Sequence, residues 1–308
     1  MRPILVLGPP RSGSTWVAEV LASAPGTHLL HEPDSDPNMP FGLLAKAGLG
    51  RYPLLAAGDR ADRYTALWTA ALTPGSGRDS ASLAGRTILR RTTLDLRNEI
   101  LFGVPTRRAR LVTRSLAAFA RPVSPPASDH IVVKSVHSGL AAGFVTALAD
   151  PVIVLVRRNP LNGVASWLDL RWRHQRLAGS AEQERIVGEL VGAPPPPDDA
   201  PIEQLHAWSF TALTRALDLE AERAGNWIIV QHEDLCRDPS DRFMELFERT
   251  GLPWSDAIEE TLASRNDRST GYETKRIASE EPERWRDRLD GEQESTIRRT
   301  AQLLDVEC

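Results

Sequence analysis

The sequence predicts an α/β protein, a three-layer fold with a central parallel sheet and a mostly helical insertion. Three observations lead there. Short continuous apolar runs recur at ILVL (4–7), HIVVK (130–134), PVIVLVR (151–157) and within NWIIVQHEDL (226–235). Apolar runs without polar alternation are strands buried on both faces, which is the habit of parallel sheets. Stretches with helical spacing separate these runs, and a glycine turn joins the first strand to the first helix.

Taken in order, ILVL is a buried strand, and STWVAEVLAS (14–23) places apolar residues at helical spacing. Residues 35–128 are long and poor in strand signal, which predicts a helical insertion between the two halves of the sheet. HIVVK is the second strand, followed by a small-residue helix at 139–148. PVIVLVR is the third, with a helical pattern from Leu161 to about Arg176. A long helix over 202–224 precedes the fourth strand at 226–235. PSDRFMELFERTG (239–251) is a helix stopped by Gly251 and Pro253. GAPPPPDDAP (192–201) is a proline-rich loop, and no internal repeat is visible.

Composition bounds the function. The 308 residues are 41% hydrophobic and 25% charged, which suits one domain over 1–308 that carries the insertion at 35–128. A net charge of -4 argues against nucleic acid as a partner. Cys236 and Cys308 are isolated, making neither a disulfide framework nor a metal-ligand pair, as expected in a reducing cytoplasm. The N-terminal apolar stretch is too short for a signal peptide. The longest apolar run, GLAAGFVTALA (139–149), falls below the roughly 18 residues of a membrane span, so no transmembrane segment is expected.

GPPRSGST follows the first strand and has the outline of a phosphate-binding loop, G-x-x-x-x-G-K-[ST]. Gly8, Gly13 and Thr15 fall in place, but the lysine slot holds Ser14 and the cation stands at Arg11. Strand, turn and helix N-terminus together make an anion site from backbone N–H groups and the helix dipole. Ser12, Ser14 and Thr15 add hydroxyls. Without the lysine, and with no clear Mg²⁺-binding aspartate after a strand, a nucleotide or small-molecule kinase is the second choice. Further on, a strand end delivers Arg158, Pro160 occupies the first turn of a helix, and Ser166 lies two turns in. Strand alternation sends Arg157 to the opposite face. Alone, Arg158 reads as a solvated ion pair at the sheet edge; the loop upstream tips it toward anion binding.

Pro10–Trp16, PRSGSTW, matches position for position the loop P-[KR]-[SA]-G-[ST]-[ST]-[WL] of sulfotransferases that use 3′-phosphoadenosine 5′-phosphosulfate (PAPS). Arg158, Asn159, Pro160 and Ser166 fit that family's 3′-phosphate motif. The chain thus resembles the bacterial and carbohydrate-type members of the family, with their P-loop NTPase-like fold. The resemblance implies that Pro10, Arg11, Ser12, Gly13, Ser14, Thr15 and Trp16 bind the 5′-phosphosulfate, and Arg158 and Ser166 the 3′-phosphate. DRSTGYETKRIASEEPERW (267–285) occupies the place of the family's nucleotide-covering loop. That implies contacts from Gly271, Lys275 and Arg276, with Trp285 packing the loop down; a solvated charged loop is an equal alternative. HEDLCRDP (232–239) is similar to a family segment whose acidic residues are structural, so Glu233 and Asp234 are assigned as hydrogen-bond partners at a helix start and loop.

The implied reaction moves a sulfuryl group from PAPS to a hydroxyl acceptor and leaves 3′,5′-adenosine diphosphate, with no metal required. Arg11 and Lys134 would neutralise the transferring group, although a snorkelling surface lysine is the bland reading of Lys134. Cytosolic family members carry K-[TS]-H, whereas KSVH places His137 one residue later. Bacterial relatives place a glutamate base after a strand here, which points to Glu32 in HLLHEPDSD (28–36). Glu32 ranks first as the base, His137 second and His31 third. A base needs a raised pKa, which partial burial would supply to Glu32. By elimination the insertion forms part of the acceptor pocket for a small molecule: a sugar, glycolipid, phenol or secondary metabolite. Between Arg86 and Arg114 eight arginines face only Asp95 and Glu99. A solvated helical face explains them more simply than an anionic acceptor or acidic carrier. A homodimer is an admissible assembly, and a non-catalytic nucleotide-binding relative is the third alternative.

Overall fold

The computed structural model describes residues 2–75, 83–104, 106–172, 177, 180–265 and 278–308. The chain begins β1 (Ile4–Leu7), α1 (Ser14–Leu21), β2 (Thr27–His31), α2 (Pro40–Ala45), α3 (Asp62–Ala71), α4 (Leu83–Arg91), α5 (Leu94–Leu101) and α6 (Arg107–Phe119). It continues with β3 (His130–Ser135), a 3₁₀ turn at Gly139–Ala141, α7 (Ala142–Ala149), β4 (Val152–Arg157), α8 (Pro160–Asp169), α9 (Ala181–Val191) and α10 (Ile202–Ala224). β5 (Ile228–Gln231), α11 (His232–Arg237), α12 (Pro239–Thr250), α13 (Asp256–Arg265), a 3₁₀ segment at Ala278–Asp287 and α14 (Gly291–Leu303) complete it. The five strands form a parallel sheet in the order β2-β3-β1-β4-β5. The predicted α/β class is the one observed.

The chain divides into two compact units, Met1–Leu5 with Gly26–Pro151 and Arg176–Glu184, and Val6–Pro25 with Val152–Gln175 and Arg185–Cys308. In the first unit β2 and β3 pair in parallel from Thr27 opposite His130 to His31 opposite Lys134. β2 went unrecognised in the sequence because it is an edge strand, THLLH, with only Leu30 fully buried. Residues 35–128 are helical, as α2–α6, wherever the described residues carry regular structure other than a lone bridge between Gly75 and Pro126. Their core joins Leu43 and Leu44 of α2 to Leu89, Ile100, Leu101, Ala109 and Leu116. Arg90 and Arg91 at the end of α4, and Arg107, Arg108, Arg110 and Arg114 on α6, are exposed.

In the second unit β4 and β5 pair from Val154 opposite Ile228 to Arg157 opposite Gln231. β5 is shorter than the predicted 226–235, because His232–Arg237 turns into α11. Glu233 and Asp234 in that first turn favour a helix start over continued strand. α8 starts as expected: Pro160 is its first residue and the Asn159 side chain accepts from Leu161 N at 2.8 Å. It ends at Asp169 rather than near Arg176, where Arg171 takes a left-handed φ of 50°. Leu161, Val164, Ala165 and Trp167 of α8 pack on Ala207 and Phe210 of α10, with Trp285 and Ile297. No helix among the described residues is long and apolar enough to cross a membrane.

The α8–α10 contact is tight at Gly163, where a Cβ would stand 2.3 Å from Cε2 of the buried Phe210 ring. Gly163→Ala is expected to lower unfolding stability by about 1–3 kcal/mol, since the ring has no room to retreat. Urea denaturation of the variant measures this.

Candidate active site

The second unit carries the glycine loop that follows β1. β1 delivers the chain into a turn in which Ser12 N donates to Pro9 O at 3.0 Å. Arg11 and Gly13 both take left-handed φ values, 71° and 91°. For Gly13 the conformation is natural, and a Cβ there would lie 2.0 Å from Cδ2 of His232. For Arg11 it is strained, at a cost on the order of 1–3 kcal/mol, and such residues persist only where neighbours hold them. Arg158 does so: its Nη1 donates to Arg11 O at 2.7 Å. Trp167 Nε1 donates to Pro10 O at 3.0 Å, and Arg11 Nε donates to Ser166 Oγ at 2.9 Å. The strand-end motif therefore clamps the loop's carbonyls.

Gly13 caps α1 without a side-chain hydrogen bond, so the first N–H groups of the helix are left to the loop. Ser12 and Ser14 are buried, and among the described residues Ser12 Oγ has no hydrogen-bond partner. Arg158 is 8% exposed and, among the described residues, its Nε has no partner either. Buried donors without acceptors are costly, and both fit an anionic group seated on the loop. Trp16 instead packs edge-on against His232 and Phe243. Arg157 points elsewhere, donating to Asp218 Oδ1 at 2.7 Å. Glu233 accepts from Asn159 N at 3.1 Å and from Asn162 Nδ2 at 3.3 Å, a structural role. Gly271, Lys275 and Arg276 lie outside the described residues.

The first unit gathers the other candidates where HEPDSD meets KSVH. Glu32 leaves β2 with a left-handed φ of 47°, and its N–H donates to Lys134 O at 2.8 Å. The Lys134 ammonium, 3% exposed, pairs with the Glu32 carboxylate. Lys134 is thus no snorkelling surface residue. Burial is the largest single influence on Glu32 and pushes its pKa up, but Lys134, with His137 and His31, carries the net shift downward. This corrects the expectation that burial would raise it: the surrounding positive charge together wins over desolvation. His31 is exposed at the strand end.

His137 joins a second buried set that sequence reasoning missed. Lys46 Nζ donates to Asp36 Oδ1 at 2.9 Å and lies 3.4 Å from His137 Nδ1, while Arg51 also pairs with Asp36. Tyr52 stands edge-on to the His137 ring. Burial, then the Lys46 charge, lowers the His137 pKa to about 3, so the ring is neutral. Asp36 is held ionised, because Lys46, His137 and Arg51 together outweigh its desolvation. Asp34 accepts from Ser135 Oγ, which lies 2.8 Å and 3.0 Å from its two oxygens. One signal pointed to this set: Lys46 is one of only three lysines among 37 basic residues.

A family model described as the sulfotransferase family matches residues 3–256. The chain belongs to the sulfotransferase family. Among solved structures, this sulfotransferase resembles a sulfotransferase domain from the curacin biosynthetic pathway, with a TM-score of 0.50 and 13% identity over 99% of this chain and 98% of that one. That likeness shows a shared fold. A sulfotransferase domain of the Synechococcus PCC 7002 olefin synthase follows at 0.46 and 16%, covering 99% and 95%. A sulfotransferase of Mycobacterium avium stands at 0.44 and 15%, covering 99% and 77%. No curated protein matches the sequence.

Burial drives the Asp34 pKa from 3.8 up to about 6. Between those values the folded chain binds more protons there than the unfolded chain, so the Asp34 contribution to stability falls as pH rises through the window. Asp34→Asn lacks that loss. Denaturation midpoints of the two proteins, followed across the window, should diverge in favour of the variant as pH rises.

Proposed function

We propose that this sulfotransferase takes its sulfuryl group from PAPS and passes it to the hydroxyl of a small molecule by in-line displacement, leaving 3′,5′-adenosine diphosphate. The tie between the two nucleotide motifs carries this reading: Arg11 bonds Ser166, Arg158 bonds the Arg11 carbonyl, and Ser12 Oγ and Arg158 Nε are buried without partners among the described residues. The loop amides, Ser12, Ser14, Thr15 and Arg11 hold the 5′-phosphosulfate; Arg158 and Ser166 take the 3′-phosphate. Neutralisation by guanidinium and amide dipoles needs no metal in this scheme.

Glu32 is the base. It receives the acceptor proton while the acceptor oxygen bonds to sulfur and the bond from sulfur to the bridging phosphate oxygen breaks. Its pairing with Lys134 keeps it ionised but weakly basic. As Lys134 turns toward the charge that grows on the bridging oxygen, Glu32 loses the partner that depressed its pKa and gains basicity as the proton departs. His137, with a pKa of about 3, is the poorer base and serves as a neutral hydrogen-bonding group. Residues 35–128 supply the acceptor pocket, and the protein works in the cytoplasm as a single sulfotransferase domain.

Thermal melting tests the donor. 3′,5′-Adenosine diphosphate without metal should raise the melting temperature and Mg-ATP should not; the reverse pattern sinks the proposal in favour of a kinase. Glu32→Gln should lower kcat by about 10²–10⁴-fold while the affinity for 3′,5′-adenosine diphosphate stays near that of the unaltered protein. If His137→Ala shows that pattern instead, the base is His137.

A further inference from the structure

The strongest feature left unused is a carboxylate set among arginines in the second unit. Glu281 Oε2 accepts from Arg158 Nη2 at 2.9 Å, and its other oxygen pairs with Arg284. The Glu281 and Arg158 side chains are only 8% and 7% exposed. One buried carboxylate bridging two guanidinium groups reproduces the arrangement that a phosphate takes between paired arginines. Arg288 adds to the local positive charge, its pKa lowered by burial and by Arg284.

Glu281 does not sit there by accident of a loose loop. The 3₁₀ segment that carries it is pinned to α8 through Asn162, whose Nδ2 donates to Pro282 O at 2.9 Å and whose Oδ1 accepts from Trp285 N at 3.2 Å. Trp285 is buried in the α8–α10 core. The backbone of Glu281 and Arg284 is therefore fixed beside Arg158, and only side-chain rotation is needed to vacate the space between the arginines.

Resting on the PAPS reading above, we propose that Arg158 and Arg284 form a two-arginine cradle for the 3′-phosphate, which Glu281 fills with its own carboxylate until the donor displaces it. The carboxylate compensates the buried charge of Arg158 in the empty protein, where an unpaired cation would be strongly destabilising. A phosphate carries more negative charge and one more oxygen than a carboxylate, so it wins the exchange. A nucleotide lacking the 3′-phosphate has nothing to offer the arginines in return. Glu281 therefore compensates the arginines in the empty protein at the cost of part of the 3′-phosphate affinity.

Calorimetric titration with 3′,5′-adenosine diphosphate and with 5′-AMP tests this on the full chain. Glu281→Gln should bind 3′,5′-adenosine diphosphate about tenfold more tightly, because the competing charge is gone, and Arg284→Gln about tenfold more weakly, because a charge-assisted contact is lost. Binding of 5′-AMP should change little in Arg284→Gln. Glu281→Gln should also melt lower when empty yet gain a larger shift from 3′,5′-adenosine diphosphate; Glu281→Ala repeats the test should the first variant fold poorly. If the unaltered protein binds 3′,5′-adenosine diphosphate and Glu281→Gln binds it equally or less tightly, Glu281 merely orients Arg158 and the cradle is overturned. If the unaltered protein does not bind 3′,5′-adenosine diphosphate at all, the donor assignment falls, and the cradle with it.

Discussion

The second unit depends on the hydrogen bond from Arg158 to the carbonyl of Arg11. Arg11 is not a glycine, yet it occupies the left-handed region. A bond from a buried, charged donor to that carbonyl is stronger than one between neutral groups and offsets the strain. The consequence reaches along the loop. With the Arg11 and Pro10 carbonyls taken by Arg158 and Trp167, the turn keeps its acceptors occupied and leaves hydroxyls and amides for an anion. A residue that resembles a ligand in the sequence is thus also the clamp that shapes the loop.

The first unit uses buried charge differently. Lys46 is fully buried and pairs with Asp36, which is almost as deep. Buried ion pairs of this kind seldom stabilise more than an apolar replacement, because desolvation consumes most of the Coulombic gain. Their effect here lies in what they impose on neighbours. Lys46 holds Asp36 ionised and helps keep His137 neutral, while Lys134 holds Glu32 ionised. Glu32, Asp36 and His137 are thereby each held in one protonation state, whereas burial raises the Asp34 pKa to about 6.

Much of this was legible in the sequence, for a physical reason. The loop and the Arg158–Ser166 stretch are contiguous, and each position is narrowed by local demands: a turn, a helix start, a donor. The same holds for β1, β3 and β4, whose continuous apolar runs follow from burial on both faces. β2 escaped because an edge strand needs fewer apolar residues. The Lys46–Asp36–His137 set escaped because its members are brought together only by folding, Lys46 and His137 lying 91 residues apart. Glu281 stands in the acidic run SEEPE, where nothing local separates a buried carboxylate from its solvated neighbours.

The absent Walker lysine follows from the same geometry. A lysine at the slot of Ser14 would present one ammonium on a flexible stem, and that ammonium would have to choose between a tether and a ligand. The guanidinium of Arg11 carries five donors in a planar fork, so the bond from Nε to Ser166 fixes its direction. On the PAPS reading proposed above, fixing the direction matters more for a sulfuryl group than for a triphosphate. A Walker loop positions its phosphates with Mg²⁺ as well as lysine, whereas in that reading, which uses no metal, the loop draws its orientation from the protein. Moving the cation to Arg11 and tying it to α8 supplies that orientation, and it explains why loop and strand-end motif occur together in one chain.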